Sequence, residues 1–467
     1  MAPLRALALA SLALACQLPR AAGGARLELG GSPLWRLRGS GPGSAAANAK
    51  LARAGPFAMP SLVQLDLLSA GAIPEPFDDT NLDDETLRWV HDAAQNWTYT
   101  TTFTKSQLGR GAPLFVAQGL DTIVAVRLNG ALIGRSTNMH VRLALPLPPA
   151  LLRDDNTLAL SFGDPVAYSI SQHRLHPCSC GEQGECCHFN ATQYPVYSWA
   201  QGRPWVRKTQ SHYGWNWGPA GMTYGVPRDL FIVSVDAQPI LEDVRVSIDA
   251  DRALPTERLA ENVTDFKVGL ELQIRAEAAV AAGTRVAVQA DWAPAPVSFS
   301  LPALRPGINT IRVSMLAERP ALWWPRELLQ APDLSPALYN LTISLEHAAT
   351  TDPGLSLHGE FAPALRRRVG FRTVELVRDA ARDGQGTLFQ FRVNGQLLYV
   401  RGSNIIPFDV FTSEGRVGRA QYESILGSAA SAHMSMVRVW VSLCSLAVIV
   451  LQRLPHTAAA LVVAGRW

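Results

Sequence analysis

Charge is what this 467-residue sequence has least of: Asp, Glu, Lys and Arg make up 17% of it, and 42 basic against 39 acidic residues leave a net charge of +3. A balance so near neutral gives no footing for nucleic acid, and no basic stripe interleaved with aromatics is present. Long apolar runs are missing too. Ala6 to Ala15 is ten residues, and Val439 to Leu451 is thirteen before Gln452-Arg453 and Pro455-His456 interrupt it. A membrane-spanning helix needs about 20. Cysteine is scarce, and four of the six cluster between Cys178 and Cys187. Acidic side chains stop altogether at Glu423. What is abundant is apolar surface, 48% of residues, which describes a folded chain of two to four domains and excludes a disordered one.

The start reads as a secretory signal peptide over residues 1–23: Arg5, then the apolar run, then small residues at Ala21-Ala22-Gly23. Four glycosylation sequons follow, at Asn96, Asn190, Asn262 and Asn340. Together with the leader they fit passage through the secretory pathway.

Between Leu27 and about Asp236 the text is strand and turn. Val124, Val126 and Leu128 alternate into Asn129-Gly130, the signature of a type I′ hairpin. Leu158, Leu160 and Phe162 alternate after Asp154-Asp155-Asn156. Short strands with Pro- and Gly-rich connections indicate a β-sandwich. A second sandwich, immunoglobulin-like, is expected over residues 238–375 from alternation at Val244, Val246 and Ile248 and again from Phe266 to Ile274. Arg366-Arg367-Arg368 reads as a solvated strand end. Phe389, Phe391 and Val393 lead into Asn394-Gly395, and Leu397 to Val400 lead to Arg401-Gly402-Ser403-Asn404. Tyr422, Ile425, Leu426, Ala429 and His433 recur at helical spacing, and Met436 to Trp440 read as a strand. The insert His173 to His188 has two readings. His173, His176, His188 and the four cysteines have the residue types of a metal site. One or two disulfides closing a surface loop is the alternative, favoured because secretion oxidises thiols and an acidic destination protonates histidines.

The densest stretch is Trp205 to Pro219, which packs three Trp, a Tyr, a His and two cations into fifteen residues. Flat rings cover the C–H face of a sugar while charges and amides satisfy its hydroxyls; the competing reading is a core cluster. The run ends Trp215-Asn216-Trp217-Gly218-Pro219, and it resembles the Trp-Asp-Trp-Gly-Pro motif of the β-mannosidases of glycoside hydrolase family 2. Similar stretches recur in the family's order at Gln95 to Tyr99, Trp323-Trp324-Pro325, Phe371 to Leu376, Gly402-Ser403-Asn404 and Val437 to Trp440. The resemblance covers roughly residues 30–440.

That resemblance implies a mainly β fold: a jelly-roll sugar-binding domain (24–237), an immunoglobulin-like sandwich (238–375), the first portion of a (β/α)8 barrel (376–440) and a divergent apolar tail (441–467). It implies a retaining exo-glycosidase acting on terminal β-D-mannose in N-glycan catabolism, located in the lysosome, with β-mannosyl oligosaccharides and the lysosomal sorting machinery as partners. No cofactor and no metal are expected. Trp215, Asn216, Trp217, Asn404, Arg438 and Trp440 would form the sugar subsite, and pairing of Cys178 with Cys186 or Cys187 would match the short family loop. Three residues depart from the pattern: Asn216 stands for Asp, Ile405 for Trp and Ser435 for Asn. The family's catalytic glutamates lie on barrel strands after the divergence at Trp440. A retaining mechanism needs two carboxyl groups roughly 5 Å apart and a barrel roughly 200 residues or more. No catalytic residue is therefore assigned, and Asp409 and Glu414 are not expected to substitute. The alternative is an inactive product that keeps at most a sugar-binding sandwich.

Overall fold

The computed structural model describes residues 26–78, 90, 95–176, 205–215, 217–235, 238–251, 253, 255–261, 264–329, 337–346, 361–362, 364–411, 419–439 and 461–463. Alternation builds the first sandwich. Along Asn96–Thr104, Ile123–Leu128 and Asp155–Gly163 alternate side chains point inward, burying Trp97, Tyr99, Val126, Leu160 and Phe162 on one face. These strands lie in a six-stranded sheet ordered Phe57–Ala58, Pro33–Ser40, Asn96–Thr104, Asp155–Gly163, Ile123–Leu128, Ala131–Ser136. The last two join through Asn129 and Gly130, whose φ angles of 51° and 87° are both positive as a type I′ turn requires.

Facing it is a four-stranded sheet ordered Arg26–Glu28, Leu230–Val235, Ala112–Ala117, Leu143–Pro146. The first strand of this unit pairs with its last, Arg26 opposite Val233, which closes the jelly roll. Leu230–Val235 is buried at every position because both faces are covered. Leu230 and Ile232 face the sandwich core, while Phe231, Val233 and Val235 meet Phe361 and Ile240 of the next sandwich. At the same junction Arg142 and Arg275 converge on Glu242 at 3.1 and 2.8 Å.

The second sandwich sets Ile240–Ala250, Phe266–Ala276 and Gly307–Ala317 against Val297–Ser300, Arg285–Ala290, Tyr339–Leu345 and Ala364–Val369. Its core is aliphatic, with Trp292, Tyr339 and Phe266 packed around the Phe371 ring at centroid distances of 5.1, 5.3 and 5.2 Å. Arg366-Arg367-Arg368 corrects the solvated-end expectation. The three lie half-buried within Ala364–Val369, and Arg367 reaches Asp243 at 2.9 Å. Long aliphatic stems let arginine cover sheet surface while its head finds a carboxylate.

A small antiparallel sheet, Val374–Val377, Gln390–Val393 and Gln396–Leu398, follows. The second Asn-Gly turn makes it. Asn394 and Gly395 have φ of 47° and 79°, and Asn394 is fully buried. Its side chain accepts from Thr373 N (2.7 Å) and donates to Trp323 O (2.9 Å), and its carbonyl accepts from Leu259 N (2.9 Å). A Cβ on Gly395 would stand 1.6 Å from the Glu257 carbonyl, so this position admits only glycine. Asn394→Ala strands two buried backbone groups, and an expected loss of about 2–4 kcal/mol follows. Urea denaturation would measure it, and a loss below about 0.5 kcal/mol would contradict this tie between the sandwich and the hairpin.

The parallel sheet begins after this hairpin, at Gly402–Ile405. Gly402–Ile405 and Met436–Val439 pair in parallel across the helix Arg419–Ser431, the right connection length for a βαβ unit. Gly402 is required here: a Cβ would fall 1.9 Å from Met436 O. The helix buries Tyr422 and Leu426, leaves Ile425 45% exposed, and stops before His433. His433 takes φ of 56°, with His433 N bonding Ala430 O and Met434 N bonding Ala429 O, a Schellman ending with His where glycine is usual. The tail, read as divergent and apolar, supplies a third parallel strand. Leu461–Val463 pairs with Met436–Val439, Leu461 opposite Met436.

Candidate sugar-facing site

The aromatic run is a loop-and-hairpin, which explains why sequence alternation could not tell its inside from its outside. It enters through Val206 to Thr209 and a helical turn at Gln210–His212. It then forms Tyr213–Trp215 and Gly218–Ala220, paired Tyr213 to Ala220 and Trp215 to Gly218. Gly214 allows the first strand's φ of 88°. Tyr213 is buried with Val206 and Met222, and Trp217 is half-buried. For Trp215 the structure gives the strand position alone, and Asn216 lies outside the described residues.

Two polar groups of the run are turned inward. Lys208 and His212 are each about 1% exposed. The Lys208 ammonium binds both oxygens of Asp121, Thr223 O at 2.9 Å and Thr223 Oγ1 at 2.7 Å. Thr223 gives its one hydroxyl proton to Asp121, so at 3.0 Å His212 Nδ1 must be the donor to Thr223 Oγ1. Burial acts to raise the Asp121 pKa, but the Lys208 charge and the hydrogen bonds from Lys208 and Thr122 outweigh it and hold the carboxyl below its usual range. Burial first, and then the Lys208 charge, push His212 down to about 3. The imidazole is thus neutral inside an ion-paired cluster. A sealed group cannot touch a solvent-borne sugar, so this part of the run is architecture. Arg207, next door, is exposed.

Sequence reasoning missed Asp121 and Thr223 because nothing local marks them; Asp121 lies 87 residues before its lysine. It also missed Asp66, fully inside the same sandwich, where Tyr99 and Ser61 donate to it at 2.5 and 2.8 Å. Burial raises Asp66 to about 6, against the lowering effect of those two bonds.

Of the barrel residues, Asn404 and Arg438 do come together. They are register partners on the two parallel strands, both exposed, with Arg438 Nη1 3.3 Å from Asn404 Oδ1. Ile405 is buried and points to the opposite face, so its departure from the family pattern does not alter the Asn404–Arg438 face. Ser435 is fully buried at the other end of its strand, where its Oγ accepts from Arg401 N at 3.0 Å. That substitution serves strand pairing. Half-buried Asp409 accepts from Phe411 N at 2.9 Å. The residue immediately past the hairpin meets this segment: a Cβ on Gly221 would lie 2.1 Å from Val410 Cγ1, and Phe411 packs on Phe77 at 5.5 Å.

Trp440, Glu414, Cys178, Cys180, Cys186, Cys187, His188, Asn190 and Asn262 lie outside the described residues. Asn96 and Asn340 are exposed, although the Asn340 amide donates to Asp291 at 2.8 Å. Among the described residues no cluster of His, Cys, Asp and Glu fits a metal ion, and no helix is long and apolar enough to cross a membrane.

Residues 35–228 match the glycosyl hydrolase 2 galactose-binding domain-like family. Beta-mannosidase B of Thermothelomyces thermophilus is 30% identical over 387 residues, covering 82% of this chain and 39% of that protein. Beta-mannosidase of Capra hircus is 28% identical over 401 residues, covering 82% and 40%. The chain therefore spans about 40% of the length of the curated relatives it matches. Its fold matches the crystal structure of a β-D-mannosidase from Dictyoglomus thermophilum with a TM-score of 0.65 at 24% identity, over 89% of this chain and 44% of that one. An exo-chitosanase from Amycolatopsis orientalis matches at 0.51 and 18% identity, over 82% and 37%. The matched domain and the 30% identity over 82% of this chain identify it as a glycoside hydrolase family 2 protein, related to the β-mannosidases over about 40% of their length.

Proposed function

We propose that these residues are the sugar-orienting part of a β-mannosidase-type glycosidase, one that in its family's full length cleaves terminal non-reducing β-D-mannose with retention. The observation that carries this is the contact of Gly221, immediately past the Tyr213–Ala220 hairpin, with Val410, five residues beyond the strand Gly402–Ile405 that holds the exposed Asn404–Arg438 pair. In this reading Trp217 offers a ring and Arg438 offers donors held in place by Asn404, while Trp215, Asn216 and Trp440 are assigned by the family pattern alone. Asn216 supplies hydrogen bonds without the charge the family's Asp would bring. The acid/base and the nucleophile would come from glutamates on later barrel strands.

The domain limits at 24–237, 238–375 and 376–440 belong to this reading. So do a lysosomal destination reached through the secretory pathway, glycosylation at the four sequons, and a disulfide from Cys178 to Cys186 or Cys187. The second reading is a sugar-binding product without turnover. An assay of residues 27–467 on an aryl β-mannoside at acidic pH separates them. No turnover is expected from these residues, and release of the aryl group would overturn the assignment of the catalytic pair to later strands.

A further inference from the structure

Resting on the sugar-facing role of the Tyr213–Ala220 hairpin, we propose that the buried Asp121–Lys208–Thr223–His212 cluster is the positioning device that fixes this hairpin's direction. The hairpin cannot hold itself. It has three residues on each strand and two register pairs, Tyr213 with Ala220 and Trp215 with Gly218, and an isolated two-stranded hairpin is marginal in water. Its direction therefore comes from its base, where the cluster sits.

One leg supplies Lys208 and His212, and the other supplies Thr223. Asp121, on the connection between Ala112–Ala117 and Ile123–Leu128, binds both legs at once. Backbone bonds extend the clamp: Gly221 N to His212 O at 3.0 Å joins the legs, and Asp121 exchanges two bonds with Gly225 at 2.9 and 2.8 Å. On the far side Arg207 O accepts from Met139 N at 3.0 Å.

The chemistry suits a device of direction more than of strength. Replacing a buried ion pair by apolar groups of similar volume is often neutral or stabilising, so the pair is poorly explained by stability. Charge-assisted bonds are directional in a way methyl contacts are not. Here four side chains from three chain segments must be satisfied together, which leaves one register for the legs. Gly221, immediately past the hairpin, meets Val410, so a rotation at the base would move the hairpin against the segment following Gly402–Ile405.

The test compares the charge-free pair Asp121→Asn/Lys208→Met with the wild-type chain, reading amide hydrogen exchange peptide by peptide and affinity for methyl β-D-mannoside. Exchange over 213–220 is expected to rise at least about tenfold, with Phe266–Ala276 unchanged, and the mannoside affinity should fall in parallel. A folded double variant with unchanged protection over 213–220 overturns the proposal. Should that variant fail to fold, Thr223→Val and Thr223→Ser decide instead. The valine removes the shared hydroxyl and should loosen 213–220, the serine keeps it and should not, and equal behaviour of the two overturns the proposal. If the wild-type chain shows no mannoside binding while the exchange pattern appears, the sugar-facing reading fails and the clamp stands. Loosened exchange with unaltered mannoside affinity overturns the clamp's bearing on the sugar.

Discussion

Lys208→Met is expected to destabilise the protein by about 3–5 kcal/mol, because it leaves Asp121 as a buried, uncompensated carboxylate. The size follows from geometry. Asp121 is wholly enclosed, and Lys208 is both its closest cation and the donor that also satisfies Thr223. A methionine fills the volume but donates nothing. Adding Asp121→Asn removes the stranded charge and should recover most of the loss, since the penalty belongs to the broken pair. Urea denaturation of the two variants measures both quantities. A single variant within about 1 kcal/mol of wild type, or a double variant no better than the single, would contradict the enclosure of this pair.

Acidification is expected to act on two buried groups with opposite sign. His212 takes up a proton at about 3 in the folded protein but at 6.5 when unfolded. The unfolded chain binds more protons across that window, so the His212 contribution is complete above 6.5 and is lost as pH falls toward 3. At about 1.4 kcal/mol per unit, roughly 3 kcal/mol is gone by pH 4.5. Asp66 behaves in reverse. It holds its proton up to about 6 when folded and releases it at 3.8 when unfolded. Its contribution is complete below 3.8 and is lost as pH rises through 6, so acidifying from pH 7 to 4.5 returns about 2 kcal/mol. The two nearly cancel. Asp66→Asn should therefore make stability fall about 2 kcal/mol further between pH 7 and 4.5 than it does in the wild-type chain. His212→Gln should shift the same difference by about 3 kcal/mol the other way. Denaturant titrations at the two pH values give both numbers, and unchanged pH dependence in Asp66→Asn would contradict the raised carboxyl.

What was legible in the sequence is what is decided locally. Asn129-Gly130 and Asn394-Gly395 announce hairpins because their positive φ values are a property of those two residues. The inward faces of Ile123–Leu128 and Phe266–Ala276 follow from a period of two, which burial confirms position by position. The strand–helix–strand order around Arg419–Ser431 came from helical spacing and the family likeness together, while the register that sets Asn404 opposite Arg438 did not. What failed is what depends on partners far along the chain. No periodicity tells which way Lys208 and His212 point in an irregular loop, and both turned inward to meet Asp121 and Thr223. The cover over Phe231 and Val233 arrives from Phe361 and Ile240. Leu461–Val463 became a strand within an apolar tail that has no alternation to mark it.

Titration of the chain with methyl β-D-mannoside, followed by ligand-detected NMR, tests the sugar-orienting assignment most directly. Saturable binding in the millimolar range, about −4 kcal/mol, is predicted, weakened at least about tenfold by either Arg438→Ala or Trp217→Ala. Binding that ignores both substitutions, or no saturable binding by a folded chain, would contradict it.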